Sequence, residues 1–194
     1  MAQDPISYAE IPQFTSNGPY NVDVGWSHLE DTLQGFEEGS GGLDLDPDFQ
    51  RAHVWTEQQQ RRYVAYALRG GRSGRDIFFN DAYWSSRRNN PTAPRGMVLV
   101  DGKQRLQAVR RWLRNEIPAD FGPGLERFNR YAEGFQGQPN TIRVRFTFHV
   151  NDLPTREAVL QWYVDLNSAG VAHTDEEIAR VRELLRIEQE RSKA

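Results

Sequence analysis

Apolar and polar residues alternate most regularly between positions 142 and 150. Apolar side chains occupy the even positions there, and the odd positions carry Arg143, Arg145, Thr147 and His149. Successive side chains of a strand point to opposite faces, so this pattern predicts a strand with one buried face and one polar, partly basic face. The uninterrupted apolar run from Met97 to Val100 predicts a second strand that is buried on both faces.

Helices are predicted where apolar residues recur every three or four positions. Thr56 followed by Gln59 is typical of a capping box, and Gly70–Gly71 is typical of the end of the helix that it begins. The predicted helices cover 27–33, 56–69, 103–116, 155–166 and 174–191, and further short strands are predicted at 22–26, 43–46 and 77–79.

The mixed order of strands and helices predicts an α+β or irregular α/β fold rather than a doubly wound sheet, since one strand–turn–helix unit is evident. Residues 1–20 are expected to form an extended N-terminal arm, because three prolines and a Ser-Asn-Gly-Pro turn interrupt any regular pattern. We expect one domain over residues 21–194, with a helical C-terminal part at 154–192. The polar segment 85–96 and the Gly- and Pro-rich segment 118–140 are expected to be irregular.

Composition narrows the class of protein. A chain of 194 residues suits one domain, and its 38% of hydrophobic residues is enough to form a core. The absence of cysteine excludes disulfides, cysteine-bound zinc, iron–sulfur clusters and a thiol nucleophile. No stretch approaches the roughly 20 apolar residues that span a bilayer, and the first residues lack the features of a signal peptide. We therefore expect a cytoplasmic protein without membrane contact.

Charge is distributed unevenly along the chain. Residues 1–50 contain ten acidic side chains and no lysine or arginine, so residues 51–194 hold all 24 basic groups against the remaining 17 acidic ones. One interpretation is an anionic partner such as nucleic acid or a nucleotide. The other is that the acidic first 50 residues fold over the basic remainder and neutralise it. Composition does not separate the two.

The segment Asp101-Gly102-Lys103-Gln104-Arg105 links the buried strand at 97–100 to a predicted helix. The first N–H groups of a helix have no partner within it and the helix dipole is positive there, so a helix start attracts anions. Gly102 permits close approach of the backbone, Arg105 offers phosphate a bidentate fork, and Asp101 could hold a divalent metal or accept a proton. The spacing is equally consistent with an ordinary strand–helix corner.

Three blocks of sequence resemble, in the same order, the N-terminal domain of GmrSD-type restriction enzymes. They are Asp48–Trp55, Val100–Leu106, and Asp165–Gly170 followed by Thr174 and Glu177. The resemblance spans roughly residues 43–180. It implies a ParB/sulfiredoxin-like α+β fold, in which a mixed sheet with flanking helices forms a single compact domain with a helical C-terminus. Lys103 stands where the family usually has a second glutamine, and this change adds a charge that suits phosphate.

The resemblance implies a nucleotide pocket at this turn, and we expect an NTP and Mg²⁺ as cofactors. The residues expected to bind the nucleotide and its phosphates are Gly102, Lys103, Gln104, Arg105, Gln50 and Arg51. Asp101 and Arg105 are the expected catalytic residues, and Asp101 is also the expected metal ligand. Sulfiredoxin chemistry needs a cysteine and is excluded. The 194 residues leave no room for the His-Asn-His nuclease domain of complete GmrSD enzymes, so complete restriction by this chain alone is not expected.

Two local alternatives stay open. Arg51 either reaches the pocket of Arg105, with His53 or Gln50 beside it, or pairs with an aspartate of the segment 44–48. Asp44 and Asp46 of that same segment either bind Mg²⁺ together or are solvated acids.

The predicted DNA contacts are the arginines Arg87, Arg88, Arg110, Arg111 and Arg114. Together with Arg143 and Arg145 they could form a track for the phosphate backbone, and the alternative is a solvated helix face. The leading function is an NTP- and Mg²⁺-dependent phosphoryl-transfer enzyme that couples NTP hydrolysis to the recognition or cleavage of DNA. One alternative is a ParB-fold kinase that phosphorylates a hydroxymethylated base in phage DNA or another alcohol. Another is a non-catalytic, nucleotide-gated DNA-binding module.

Overall fold

A mixed sheet forms the centre of the computed structural model, which describes residues 7–50, 54–82, 84, 96–136, 144–167 and 175–192. Within these residues the strands are β1 (Tyr20–Gly25), β2 (Leu43–Asp44), β3 (Asp76–Asn80), β4 (Met97–Asp101) and β5 (Arg145–Asn151). The helices are α1 (Leu29–Ser40), α2 (Glu57–Leu68), α3 (Lys103–Leu113), α4 (Arg156–Asn167) and α5 (Asp175–Arg191).

The strands lie in the order β1-β5-β3-β4-β2. β5 is antiparallel to β1 and parallel to β3, while β4 is antiparallel to β3 and parallel to β2. The β3–β4 register shifts between Phe78 and Phe79, and Phe78 lies opposite Asp101. This arrangement confirms the predicted α+β class and the single compact domain with a mixed sheet. The ParB/sulfiredoxin-like assignment stays a prediction.

Helices cover both faces of the sheet, because the central strands β3 and β4 are apolar on both faces. α1, α2 and α3 pack on one face, where Trp26 and Trp112 lie edge to face with their ring centroids 5.9 Å apart. α4 and α5 pack on the other face around Val100, Phe49 and Trp162. The molecule therefore has a central sheet with a separate apolar core on each side.

The predicted capping box of α2 is confirmed. Thr56 Oγ1 accepts a hydrogen bond from the backbone N–H of Gln59, and Gln59 Oε1 accepts one from the backbone N–H of Thr56. The prediction of a short helix ending at residue 33 is wrong, because α1 continues to Ser40. The backbone N–H groups of Gly41 and Gly42 both donate to the carbonyl of Glu37 and end the helix there, with Gly41 at φ +78°.

α3, in contrast, is shorter than predicted. It ends at Leu113 rather than near residue 116, because Asn115 adopts a left-handed conformation with φ +58°. The regular part of β5 begins at Arg145, and residues 142–143 of the predicted strand lie outside the described residues.

The segment before β1 is joined to the rest of the molecule by side-chain contacts. Thr15 donates to Asp165 Oδ2 from both its backbone N–H and its hydroxyl, at 2.8 and 2.7 Å. Asn151 Nδ2 donates to the carbonyl of Ser16 at 2.7 Å. Tyr20 is already the first residue of β1, and the division of the chain at residue 20 stays a prediction. None of the described helices is both long enough and apolar enough to cross a membrane.

Candidate functional site

Gly102 forms the corner between β4 and α3. Its φ of +106° is one that other residues rarely adopt, and a Cβ atom at this position would lie 2.5 Å from Ile77 Cδ1. As the N-cap of α3 it offers no side chain to the first helical turn. The sequence therefore needs glycine here both for the backbone conformation and for the close approach of β3.

Asp101 and Arg105 form an ion pair across this corner. Arg105 Nη2 lies 2.6 Å from Asp101 Oδ2, and about a quarter of each side chain is exposed (23% and 27%). The Arg105 stem passes close to Gly74, since a Cβ atom at Gly74 would lie 3.3 Å from Arg105 Cδ and 3.6 Å from Tyr63 Cε2. Tyr63 donates its hydroxyl to the carbonyl of Gly74 at 2.6 Å. The two predicted catalytic residues thus lie together and can both meet a ligand from solvent.

Burial dominates the titration of Tyr63. Desolvation raises the pKa of its phenol well above the ordinary value of 10.0, and the positive charges of Arg105 and Arg75 oppose that rise. The phenol is therefore neutral at physiological pH and acts as a hydrogen-bond donor that holds the loop beside Arg105.

Gln50 and Gln104, predicted to bind nucleotide, make contacts with the main chain that are buried for Gln50 and partly buried for Gln104. Gln50 Nε2 donates to the carbonyl of Leu99 at 2.6 Å. Gln104 Oε1 accepts from the N–H groups of Val54 and Trp55, both at 3.1 Å. The side-chain amides therefore attach the segments on either side of residues 51–53 to β4 and to the first turn of α3. Their contact with a nucleotide stays a prediction.

Lys103 points to a different side of the corner from Arg105. It forms an ion pair with Asp46, whose backbone N–H donates to Asp44 Oδ1 at 2.9 Å. Lys103 lines a cleft of about 360 Å³ together with the predicted DNA contacts Arg110, Arg111 and Arg114. Arg105 is not among the residues that line this cleft. The cations predicted for one nucleotide pocket are therefore divided between two surfaces of the described molecule.

The three arginines of this cleft already have acidic partners. Arg110 forms a bidentate pair with Glu30 at 2.7 and 2.9 Å, and Arg114 contacts the same carboxylate at 3.1 Å. These contacts, with the hydrogen bond from Arg110 foremost, lower the pKa of Glu30 below its ordinary value. Arg111 contacts Glu57, Gln60 and Glu116. The predicted track on α3 is thus partly neutralised from within the molecule, and its role in DNA binding stays a prediction.

Other predicted residues fall outside the described part of the chain. These are Arg51 and His53 of the first block, and Arg87 and Arg88 of the predicted DNA contacts. Among the described residues, no group of three or more His, Asp or Glu side chains could hold a metal ion. Asp101 by itself suits Mg²⁺ only as one ligand, because Mg²⁺ in phosphate-transfer sites is often held by one or two carboxylates together with substrate phosphates.

A basic surface of which the sequence analysis singled out only Arg145 lies beside Arg105. Arg69, Arg72 and Arg75 surround the loop after α2, and with Arg145 they line a cleft of about 660 Å³. Its signal in the sequence is the alternation of arginine with glycine and serine from Arg69 to Arg75. The contribution of Arg145 could not be read from that pattern, since it comes from a strand 70 residues further along the chain.

Comparison with known proteins gives one match. Residues 29–182 match the family model described as GmrSD restriction endonuclease, N-terminal domain. No curated protein and no solved structure matches the chain. Restriction endonucleases act on DNA, so DNA is the partner that the match implies. Because the match covers most of the chain, including both the Asp101–Arg105 corner and the loop after α2, the chain belongs to the family of GmrSD restriction endonuclease N-terminal domains.

Proposed function

We propose that this chain is an NTP- and Mg²⁺-dependent phosphoryl-transfer enzyme that couples NTP hydrolysis to the recognition or cleavage of DNA. The observation that carries the proposal is the corner at Gly102, where a carboxylate and a guanidinium lie 2.6 Å apart, partly exposed, at the start of a helix. The family match supplies the connection to DNA.

Arg105 is the residue that we assign to the phosphates. A guanidinium binds phosphate oxygens through two parallel hydrogen bonds, and Arg105 stands at the end of α3 that carries the positive dipole. Its pairing with Asp101 keeps the guanidinium in position before a ligand arrives. A phosphate would bind N–H groups along one edge of the Arg105 guanidinium. The negative charge that develops on the phosphate oxygens in the transition state would strengthen this contact.

Asp101 is assigned two roles that follow from its position. Its carboxylate can accept the proton of the attacking water as the new phosphorus–oxygen bond forms. The bond from the γ-phosphorus to the bridging oxygen breaks, and this oxygen leaves with the nucleoside diphosphate. It can also serve as one ligand of Mg²⁺, whose chemistry is to neutralise phosphate charge. Lys103 lines the cleft on the other side of the corner, so it would contribute a point charge to a triphosphate that extends around the corner, once its pairing with Asp46 is exchanged.

The test uses γ-labelled NTP with the purified protein and Mg²⁺, with and without duplex DNA that carries plain or hydroxymethylated bases. We expect release of labelled phosphate that DNA stimulates. Transfer of label to the DNA would instead identify the kinase alternative, and nucleotide binding without product would identify the non-catalytic module.

Two variants test the residue roles. Asp101→Asn retains a hydrogen-bond acceptor for Arg105 but loses the base, so turnover should fall by about 10²–10⁴-fold while nucleotide affinity is kept. Arg105→Ala should weaken nucleotide binding itself. Arg182→Gln, which removes an exposed arginine on α5, is the matched control and should behave as the wild type. Full turnover by Asp101→Asn would contradict the assignment of the base.

A further inference from the structure

The cleft lined by Arg69, Arg72, Arg75 and Arg145, here called the arginine cleft, has the chemistry of a phosphate-binding surface. Its other lining residues are Gly70, Asp76 and Thr147. The lining thus contains four guanidinium groups and one carboxylate, that of Asp76. Asp76 Oδ1 lies 2.8 Å from His149 Nε2. The walls offer cations and small polar groups rather than aromatic rings, which suits a charged backbone better than a stacked base.

The positive charge of this cleft is only partly compensated within the described molecule. Arg145 pairs with Asp23 at 2.9 Å. In contrast, no carboxylate of the described residues forms an ion pair with Arg69, Arg72 or Arg75. The arginines of α3 differ in this respect, because they are paired with Glu30, Glu57 and Glu116. The field outside the protein should therefore be more positive near the arginine cleft than near the arginines of α3.

The loop that carries these arginines is held by its own hydrogen bonds. The Tyr66 hydroxyl lies 2.6 Å from Ser73 Oγ and accepts from the N–H of Ser73. Arg75 Nε donates to the carbonyl of Gly71 at 2.8 Å, and Tyr63 donates to that of Gly74. A loop fixed in this way loses little conformational freedom when a ligand binds, so the arginine positions are set in advance.

The arginine cleft lies next to the Asp101–Arg105 corner. The stem of Arg105 passes beside Gly74, which directly precedes Arg75, and the charges of both arginines act on Tyr63. A chain of phosphates that lay in the cleft would therefore extend towards Arg105. This adjacency joins a surface for a long polyanion to the place where we locate phosphoryl transfer.

We propose that the arginine cleft binds the phosphate backbone of the DNA on which the chain acts, and that it leads this DNA to the Asp101–Arg105 corner. The proposal rests on the proposed function, because it takes DNA as the partner. Guanidinium groups form bidentate hydrogen bonds with phosphates, and contacts to the backbone carry no base information. Binding through this surface is therefore independent of sequence and weakens with salt.

The experiment measures the binding of a fluorescein-labelled DNA duplex by anisotropy over a range of salt concentrations. Arg69→Gln/Arg72→Gln removes two exposed charges of the cleft, and Arg69→Lys/Arg72→Lys keeps them. If each arginine holds one phosphate, the slope of log K against log[salt] becomes less negative by about 1.8 and affinity at 0.1 M salt falls about 60-fold. The lysine variant should keep the wild-type slope, as should the control Arg182→Gln.

ATP binding is measured by calorimetry on the same proteins, and this separates the possible failures. If wild-type protein binds DNA and the glutamine variant has the same affinity and slope, the arginine cleft is not the DNA surface, while the proposed function stands. If the glutamine variant loses ATP binding but keeps DNA binding, the cleft belongs to the nucleotide and the inference is wrong. If the wild type binds no DNA, both the DNA part of the proposed function and the inference about the arginine cleft are wrong.

Discussion

A single carbon atom added at Gly102 would disturb the candidate site. Replacing it with alanine would force a side chain into a backbone with φ +106° and place Cβ 2.5 Å from Ile77 Cδ1. Backbone strain and overpacking together should lower the free energy of unfolding by about 2–5 kcal/mol. Urea denaturation of Gly102→Ala measures this loss.

The control for this substitution lies in the same chain. Gly122 also has positive φ, +80°, but a Cβ atom there meets nothing within 4 Å, so Gly122→Ala should show the backbone strain alone, about 1–2 kcal/mol. Ile77→Val removes the clashing Cδ1 atom and should recover part of the loss in the double variant with Gly102→Ala. Equal losses for the two alanine variants would show that the approach of β3 does not constrain the corner.

The roles of individual residues at this site could be predicted from the sequence only in part. The role of Gly102 follows from local chemistry, since a strand, a glycine and a helix in succession require a turn. The partners of Gln50 and Gln104 do not, because their amides contact main-chain atoms about 50 residues away. Nothing in the sequence distinguishes an amide that faces a nucleotide from one that supports the backbone.

At the scale of elements, α2 could be predicted well and α1 poorly. The capping box of α2 involves residues three apart, so the sequence contains the whole signal. α1 contains Gly35 and Gly39, which indicate a loop when only local propensity is considered. Its second half is stabilised by packing instead, since Phe36 lies against Phe79 and Phe148 of the sheet. Tertiary contacts of this kind override local propensity and are invisible to it.

α1 is also attached to α3 by Glu30, and this contact should make stability depend on pH. The contacts with Arg110 and Arg114 lower the pKa of Glu30 in the folded state below the ordinary value of 4.5. Their contribution is therefore fully present above that value and is lost as the pH falls through the lower, folded-state pKa. Glu30→Gln should destabilise the protein by about 1 kcal/mol at pH 7, a small effect because the pair is partly exposed.

Thermal or urea unfolding from pH 7 down to pH 3 measures this difference. Asp31→Asn is the matched control, because Asp31 is exposed and shares the first turn of α1, and with it the effect of the helix dipole. The gap between Glu30→Gln and the wild type should narrow as the pH falls, while Asp31→Asn should show a smaller gap throughout. A gap for Glu30→Gln that stays constant with pH would mean that the ion pair does not stabilise the fold.

At the scale of the whole molecule, the acidic first 50 residues of the chain fold against the basic remainder. Ion pairs join the two parts at Asp23–Arg145, Glu30–Arg110, Asp46–Lys103 and Asp48–Arg156. This was one of the two interpretations that composition left open. The loop at 69–75 does not take part in these pairs among the described residues, so its arginines are less neutralised by carboxylates than those of α3.

The pairing of Asp46 with Lys103 gives this arrangement a functional consequence. Asp46 is largely exposed whereas Lys103 is mostly buried, so the carboxylate occupies the outer side of a cation that we assign to the triphosphate. Asp46→Asn removes a negative charge that competes with phosphate for Lys103. It should lower the Kd for ATP severalfold, with the largest effect at low salt, because the interaction is electrostatic and partly screened.

Isothermal titration of ATP at two salt concentrations measures the effect. Asp48→Asn provides the comparison, since it removes a charge from the same acidic segment but one that pairs with Arg156 on α4. Tighter binding in Asp46→Asn alone would place Lys103 in contact with phosphate and make the acidic segment a competitor of the nucleotide. Equal effects of the two substitutions would mean that Asp46 acts only through the net charge of the molecule. Lys103 would then not be a phosphate-binding residue.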